Sequence, residues 1–334
     1  MIVQKNRLDY IDRAKGILII LVVIGHIWQS GPVFNTIYVF HMPAFFVISG
    51  LLLGITRSYR KGFGSFFLRR LYAFGIPFVF IELLGVLTDI IRNGVTLNWK
   101  GYLFNTLSLR YNDHNLWFIV SLFLVELIFA ALALLLRKKW AVCAAAAALF
   151  FASFLPLGTI PVLSTLASSM KYLPYFVIGF YGRGLLEQRR IWLICLSGAA
   201  VLAAGLLFGP KFADLWILFQ PLKYLVQICF GVLGTYFVLQ ISGPQPPEPF
   251  NRILSGAGRN SIIIFGTHHI IYAAVAVLLG ISDFSATPLW AGLIMLAAVA
   301  VLEPPIIYII NRWLPFLAGR HYPDRHKDIR IPAN

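Results

Sequence analysis

The sequence predicts an all-α polytopic membrane protein with about ten transmembrane helices and both termini cytoplasmic. Three observations carry this expectation. Hydrophobic residues make up 59% of the 334-residue chain and charged residues only 12%, far from the balance of a soluble domain. The apolar residues gather into ten runs, each near the ~20 residues that cross a bilayer. The 28 Lys and Arg residues are distributed asymmetrically: with a cytoplasmic N-terminus, 22 lie on the cytoplasmic side of these runs and 6 on the other. Basic residues accumulate at cytoplasmic helix ends, and one missed helix would reverse the sign of every later connection.

The runs follow in order at about 14–30, 36–55, 71–91, 116–136, 140–157, 171–187, 191–208, 221–241, 260–280 and 288–311. The first begins after a charged cluster, as a signal peptide would. No small-x-small cleavage site follows it, so an uncleaved first helix is expected. The second holds Pro43 and the third Pro77, each tolerated where a cavity or neighbouring helix satisfies the freed carbonyl. The fifth and sixth runs are interrupted by Pro156, Pro161 and Pro174, which makes 159–170 a re-entrant or surface piece. The segment 242–259, with four prolines, reads as an irregular cytoplasmic connector. The tenth run carries Glu303-Pro304-Pro305, a kink or a cavity lining. No internal repeat is visible, and the chain reads as one domain, 1–334, with a core at about 11–311 and a short basic tail at 312–334.

The formal charge of +15 would suit a nucleic-acid binder in a soluble protein. Here helix-end clustering accounts for it, and no nucleic-acid partner is expected. Cys143, Cys195 and Cys229 all lie in apolar runs and make neither a metal-ligand spacing nor a disulfide frame.

The chemistry concentrates near the N-terminus. Lys15 and His26 are eleven residues apart, which returns to the same helix face about 16 Å along the axis. Asp12 lies three residues before Lys15, placed for an i,i+3 pair. One stripe therefore carries a carboxylate and an ammonium at the cytoplasmic mouth and an imidazole well inside. An ionisable group within a membrane helix marks a functional site by default, and imidazole suits general-base work near neutral pH. Gly16 and Gly25 beside these residues permit close approach of a helix or ligand. No G-x-S-x-G elbow or activated cysteine is present, so direct transfer to an acceptor is simpler than a covalent intermediate.

Other candidates are spread along the chain. His41 lies near the outer end of the second run, where an interfacial position competes with a site role, and Ser49 lies deeper beside Gly50. Arg69 and Arg70 precede the third run and either anchor it or bind donor phosphates. Trp117 opens the fourth run and is a site candidate whose competing reading is a membrane-belt residue. Glu82 and Glu126 lie in apolar runs and need a buried base or a proton. Asn260 opens the ninth run, which carries His268 and His269. Adjacent helical histidines point about 100° apart, so one should face a cavity and the other pack. They lack the i,i+4 spacing of a helical zinc pair, and no metal is expected.

The blocks Tyr10-Ile11-Asp12-Arg13-Ala14-Lys15-Gly16 with His26, and Phe40-His41-Met42-Pro43-Ala44-Phe45-Phe46 with Ser49-Gly50, resemble the acyltransferase-3 family of integral membrane acyltransferases. The branch most similar is that of the fucose 4-O-acetylase-like proteins. Weaker matches follow at Leu116-Trp117-Phe118 and from Gly258-Arg259-Asn260-Ser261 to His268-His269, so the resemblance spans about 11–270. It implies ten helices, acetyl-CoA as donor substrate with no bound cofactor, and a sugar or glycan hydroxyl, lipid-linked or not, as acceptor. It also implies a bacterial inner-membrane location, a link to polysaccharide-assembly proteins, and an essential histidine in the first helix, here His26. Many members have arginine where this chain has Lys15, and Phe74 stands where a further arginine is common. The tail is too short for the extracytoplasmic domain fused to some members. A secondary transporter or flippase for a lipid-linked sugar is the rival expectation, against which the lack of two related halves counts.

Overall fold

The computed structural model describes residues 2–93, 116–155, 161–208, 220–244 and 246–320. The predicted loop 92–115 with His114 and Asn115 falls largely outside these residues, as does the tail beyond 320. The described residues form thirteen α-helices and three short 3-10 turns, with no strand among them. The helices are α1 (Ile2–Ile27), α2 (Gly31–Thr56), α3 (Phe63–Asn93), α4 (Trp117–Leu136), α5 (Lys139–Ala152), α6 (Pro161–Met170) and α7 (Leu173–Tyr181). They continue with α8 (Arg183–Leu186), α9 (Ile191–Phe208), α10 (Gln220–Ser242), α11 (Glu248–Arg259), α12 (Ser261–Leu278) and α13 (Leu289–Trp313).

Six of them, α2, α3, α4, α10, α12 and α13, are long and apolar enough to cross a bilayer, and α5 and α9 are shorter apolar helices. The protein is therefore a multi-pass, all-helical membrane protein. Leu135, Trp140, Leu207, Leu278 and Val301 are among many large apolar side chains left on the outer surface, the composition that hydrocarbon contact demands. Every predicted run has a helical counterpart.

Three elements differ from the sequence expectation. The connector 242–259 is not irregular, because Glu248–Arg259 is helical. Its prolines precede the helix or occupy its first turn, where a missing N–H breaks no bond. The segment 159–170 is more than a surface piece where it is described, a helix exposed at Val162 and Leu163 and buried along its other face. α6 packs on α4, with Thr165 and Ser169 buried and the Ser169 hydroxyl 3.1 Å from that of Ser121. Third, the expected span 171–187 is broken into the shorter helices α7 and α8. α6 ends at Met170, α7 begins at Leu173, and Pro174 sits in the first turn of α7. A proline there cannot donate to the preceding turn, so α6 and α7 meet at a break around Lys171 and Tyr172.

Close helix contacts set the architecture. A Cβ on Gly16 would overlap the Leu254 carbonyl, and one on Gly258 would overlap that of Asp12. α1 and α11 thus touch backbone to backbone, as small residues permit. Gly50 and Gly179 do the same for α2 against α7. Gly25 receives the Tyr38 ring of α2. Arg13 is buried beside Lys15. Its guanidinium donates to the carbonyls of Ser242 (2.8 Å) and Gly243 (3.3 Å) and to Asn251 Oδ1 (3.1 Å). A cation thereby satisfies the free carbonyls at the C-terminal end of α10 and ties α1 to both α10 and α11.

Candidate functional site

Helix periodicity places Lys15, Ile19, Val22 and His26 on one face of α1. The structure uses that face as one wall of a cavity of about 400 Å³ on the basic side of the molecule. Lys15, Ile19 and Val22 line it, with Met42, Phe45 and Ser49 from α2, Arg70 from α3, Glu126 from α4, and Ser261 and Phe265 from α12. The two cations are each tethered. Lys15 Nζ lies 3.6 Å from Asp12 Oδ1, the expected i,i+3 pair. Arg70 Nε lies 2.6 Å from Glu126 Oε2, which supplies the base that a carboxylate in an apolar helix requires. Arg69, its neighbour, points elsewhere and donates to the Ser58 carbonyl at 3.2 Å.

The cavity ends one helical turn short of a histidine cluster. His26 follows Val22 by four residues, and His268 and His269 follow Phe265 by three and four. The His26 ring centroid lies 5.3 Å from that of His268 and 4.6 Å from that of His269. Both adjacent histidines therefore meet His26, where the sequence reading sends only one toward a site. The third ring comes from another helix and sits between their two directions.

Hydrogen bonds fix part of the protonation pattern. His268 is fully buried, and its Nδ1 lies 2.7 Å from the Ile264 carbonyl. A carbonyl only accepts, so Nδ1 carries the hydrogen and Nε2 presents a lone pair. That Nε2 has no hydrogen-bond partner among the described residues. His41 Nδ1 likewise lies 2.8 Å from the Ile37 carbonyl. His269 Nδ1 lies 2.6 Å from the Tyr272 hydroxyl. The 3-10 turn Phe284–Ala286 covers the cluster from the far side: Phe284 packs on Tyr272 at 5.2 Å and its carbonyl accepts from Gln29 N.

The ligating atoms of His26, His268 and His269 all lie within 4.8 Å of one another. Three imidazoles are a donor set that could hold a transition-metal ion. The i,i+4 argument excludes a zinc pair on α12 alone and misses a triad shared with α1.

A second cavity, of about 350 Å³, opens on the opposite face. His41, Trp117, Lys171, Lys223 and Tyr224 are among its lining residues. Met42 lines both cavities, and Trp117 and Phe118 contribute to one each. The two cavities thus share the Met42 side chain.

A family model described as an acyltransferase domain matches residues 8–303. The chain belongs to this acyltransferase family. It is 32% identical over 203 residues to the nodulation protein NolL of Sinorhizobium fredii, covering 55% of this chain and 51% of that protein. A second NolL, of Mesorhizobium japonicum, is 30% identical over 192 residues, covering 52% and 48%. The chain thus spans about half the length of the curated relatives it matches. No solved structure matches it.

Within this acyltransferase fold the expected site residues divide. Asp12 and Lys15 form a pair at the basic cavity, Ser49 and Arg70 line it, and His26, His268 and His269 meet beyond its inner end. His41 is buried within the bundle, ten residues into α2 and about 15 Å from its start. Trp117 lines the opposite cavity, with its ring 5.2 Å from that of Tyr172. Asn260 lies outside both cavities. It bonds the Gly256 carbonyl (2.8 Å) and accepts from Asn311 (2.8 Å) and Arg320 (3.1 Å), tying the α11–α12 junction to α13. Glu303 accepts from the Thr267 hydroxyl at 2.8 Å, joining α13 to α12 next to His268. Sequence reasoning passed over Arg13 and Lys171. Arg13 had a signal, a charge between two others on a helix entering the membrane. Lys171 had one too, a lone cation at a proline-broken span.

Proposed function

We propose that this protein is a bacterial inner-membrane O-acetyltransferase that moves an acetyl or short acyl group from acetyl-CoA to a hydroxyl of a sugar or glycan. The observation that carries the reading is the stripe on α1. It runs from a tethered cation, Lys15, along a cavity wall to His26 among three imidazoles. Lys15 and Arg70 stand where the phosphates of a donor entering from the basic face would pass, and Arg presents a fork suited to phosphate. The apolar wall of Ile19, Val22, Met42 and Phe45 admits the pantetheine arm and excludes water from the thioester.

In the reaction, a His26 ring nitrogen takes the proton of the acceptor hydroxyl as its oxygen attacks the thioester carbonyl. The C–O bond forms, the C–S bond breaks, and the coenzyme A thiolate leaves with the proton returned through His26. His268 and His269 hold the His26 ring in place. The described lining offers no separate activated nucleophile.

The test is glycan O-acetylation, read by NMR of surface polysaccharide, in a deletion strain complemented with wild type or His26→Ala. Acetyl signals should vanish on deletion and return only with wild type, because a positioned general base contributes roughly 10²–10⁴-fold. A folded His26→Ala protein that restores full acetylation would remove His26 from the mechanism. Intact acetylation with failed export would favour a flippase.

A further inference from the structure

The cavity on the face opposite the donor is built differently from the one beneath Lys15. Two lysines, Lys171 and Lys223, line it, and no carboxylate is among its described lining residues. These are two of only six basic residues that the charge pattern assigns to the non-cytoplasmic side. Topology disfavours cations there, so their convergence on one cavity calls for a separate cause. Lys171 sits at the break between α6 and α7, and Lys223 in the first turn of α10.

The remaining lining suits a sugar. Lys171 Nζ lies 4.9 Å from the Tyr224 ring centroid and 5.2 Å from that of Phe154. Trp117, Tyr172, Tyr175 and Tyr224 provide flat apolar faces, and Asn35 and Gln227 provide amide donors and acceptors. Aromatic faces with a few placed polar groups are how proteins bind small amphipathic ligands. Leu222 and Leu225, flanking Lys223 and Tyr224, are exposed on the outer surface, where a hydrocarbon chain can lie. At the inner end His41 and Met42 complete the cavity, and Tyr38 packs on Gly25, beside His26.

We propose that this cavity is the acceptor site, entered from the face opposite acetyl-CoA, and that Lys171 and Lys223 bind the phosphate of a lipid-linked sugar while the aromatic residues hold its ring. The proposal rests on the acyltransferase reading for the word acceptor. The phosphate-binding claim stands on the cavity alone.

The test is binding to the full chain in phosphatidylcholine nanodiscs, read by tryptophan fluorescence with Trp117→Phe as the site control. The probes are a polyprenyl diphosphate-linked N-acetylglucosamine and the same sugar on an uncharged polyprenyl ether. Wild type should bind the charged probe at least tenfold tighter. Lys171→Gln/Lys223→Gln should lose that preference, and Lys171→Arg/Lys223→Arg should keep it. Equal binding of the two probes to wild type, or an unchanged preference in the glutamine pair, overturns the proposal. A saturable Trp117 response to phosphatidylglycerol alone, which the sugar probe fails to displace, would assign the lysines to a lipid headgroup and also overturn it. Acetyl-CoA binding is measured in parallel and should be equal in wild type and the glutamine pair, which shows that the variant is folded. If wild type binds the charged probe but never acetyl-CoA, the donor reading fails while the phosphate site survives.

Discussion

Arg70 offers the sharpest separation of structural from functional charge. Its guanidinium lies 2.6 Å from Glu126, whose side chain is only 5% exposed, while Arg70 keeps 27%. Removing one member of a buried ion pair leaves the other uncompensated and costs about 3–5 kcal/mol. Because the Arg70 side reaches the cavity, the low end applies, and Arg70→Ala should destabilise by about 3 kcal/mol. Replacing both charges by neutral groups is often close to neutral, so Arg70→Ala/Glu126→Gln should regain most of that loss. Donor binding should not recover, because the double variant still lacks the phosphate contact. Thermal unfolding of the purified protein in detergent and the KM for acetyl-CoA read the two effects separately. A double variant as unstable as Arg70→Ala, or a KM that returns to the wild-type value with stability, would refute these roles for Arg70.

Two further outcomes follow from the same geometry. Arg13→Gln should lower thermal stability by roughly 3 kcal/mol, since hydrogen bonds from a charged group contribute about 1.5–3 kcal/mol and two carbonyls at the end of α10 lose their donor. It should leave the acetyl-CoA KM unchanged, and a raised KM with normal stability would place Arg13 in the donor site instead. Zinc ions should inhibit transfer, because a metal bound by His26, His268 and His269 occupies the lone pair the base needs, and a chelator should leave the basal rate intact. Loss of activity on chelation, restored by metal, would replace the general base by a metal centre.

Periodicity and hydrophobicity alone were enough for the all-helical, multi-pass character, the Asp12–Lys15 pair and the face shared by Lys15 and His26. These are local properties: helical rise and rotation follow from the backbone, and a membrane selects apolar runs by length. The helical segment Glu248–Arg259 escaped because its prolines were read as breakers, although first-turn proline breaks no hydrogen bond. What each polar residue faces was decided only by tertiary packing. Arg13 and Lys15 are two positions apart, and Arg69 and Arg70 are adjacent, yet one of each pair ties the bundle or turns outward while the other lines the cavity. A helix rotates about 100° per residue, so neighbours in sequence look at different partners. Those partners, Ser242 for Arg13, Glu126 for Arg70 and His268 for His26, lie 229, 56 and 242 residues away. Their meeting depends on how the helices pack, as in the glycine contacts of α1 with α11 and of α2 with α7, a matter of shape at the helix surfaces that no single stretch of sequence encodes.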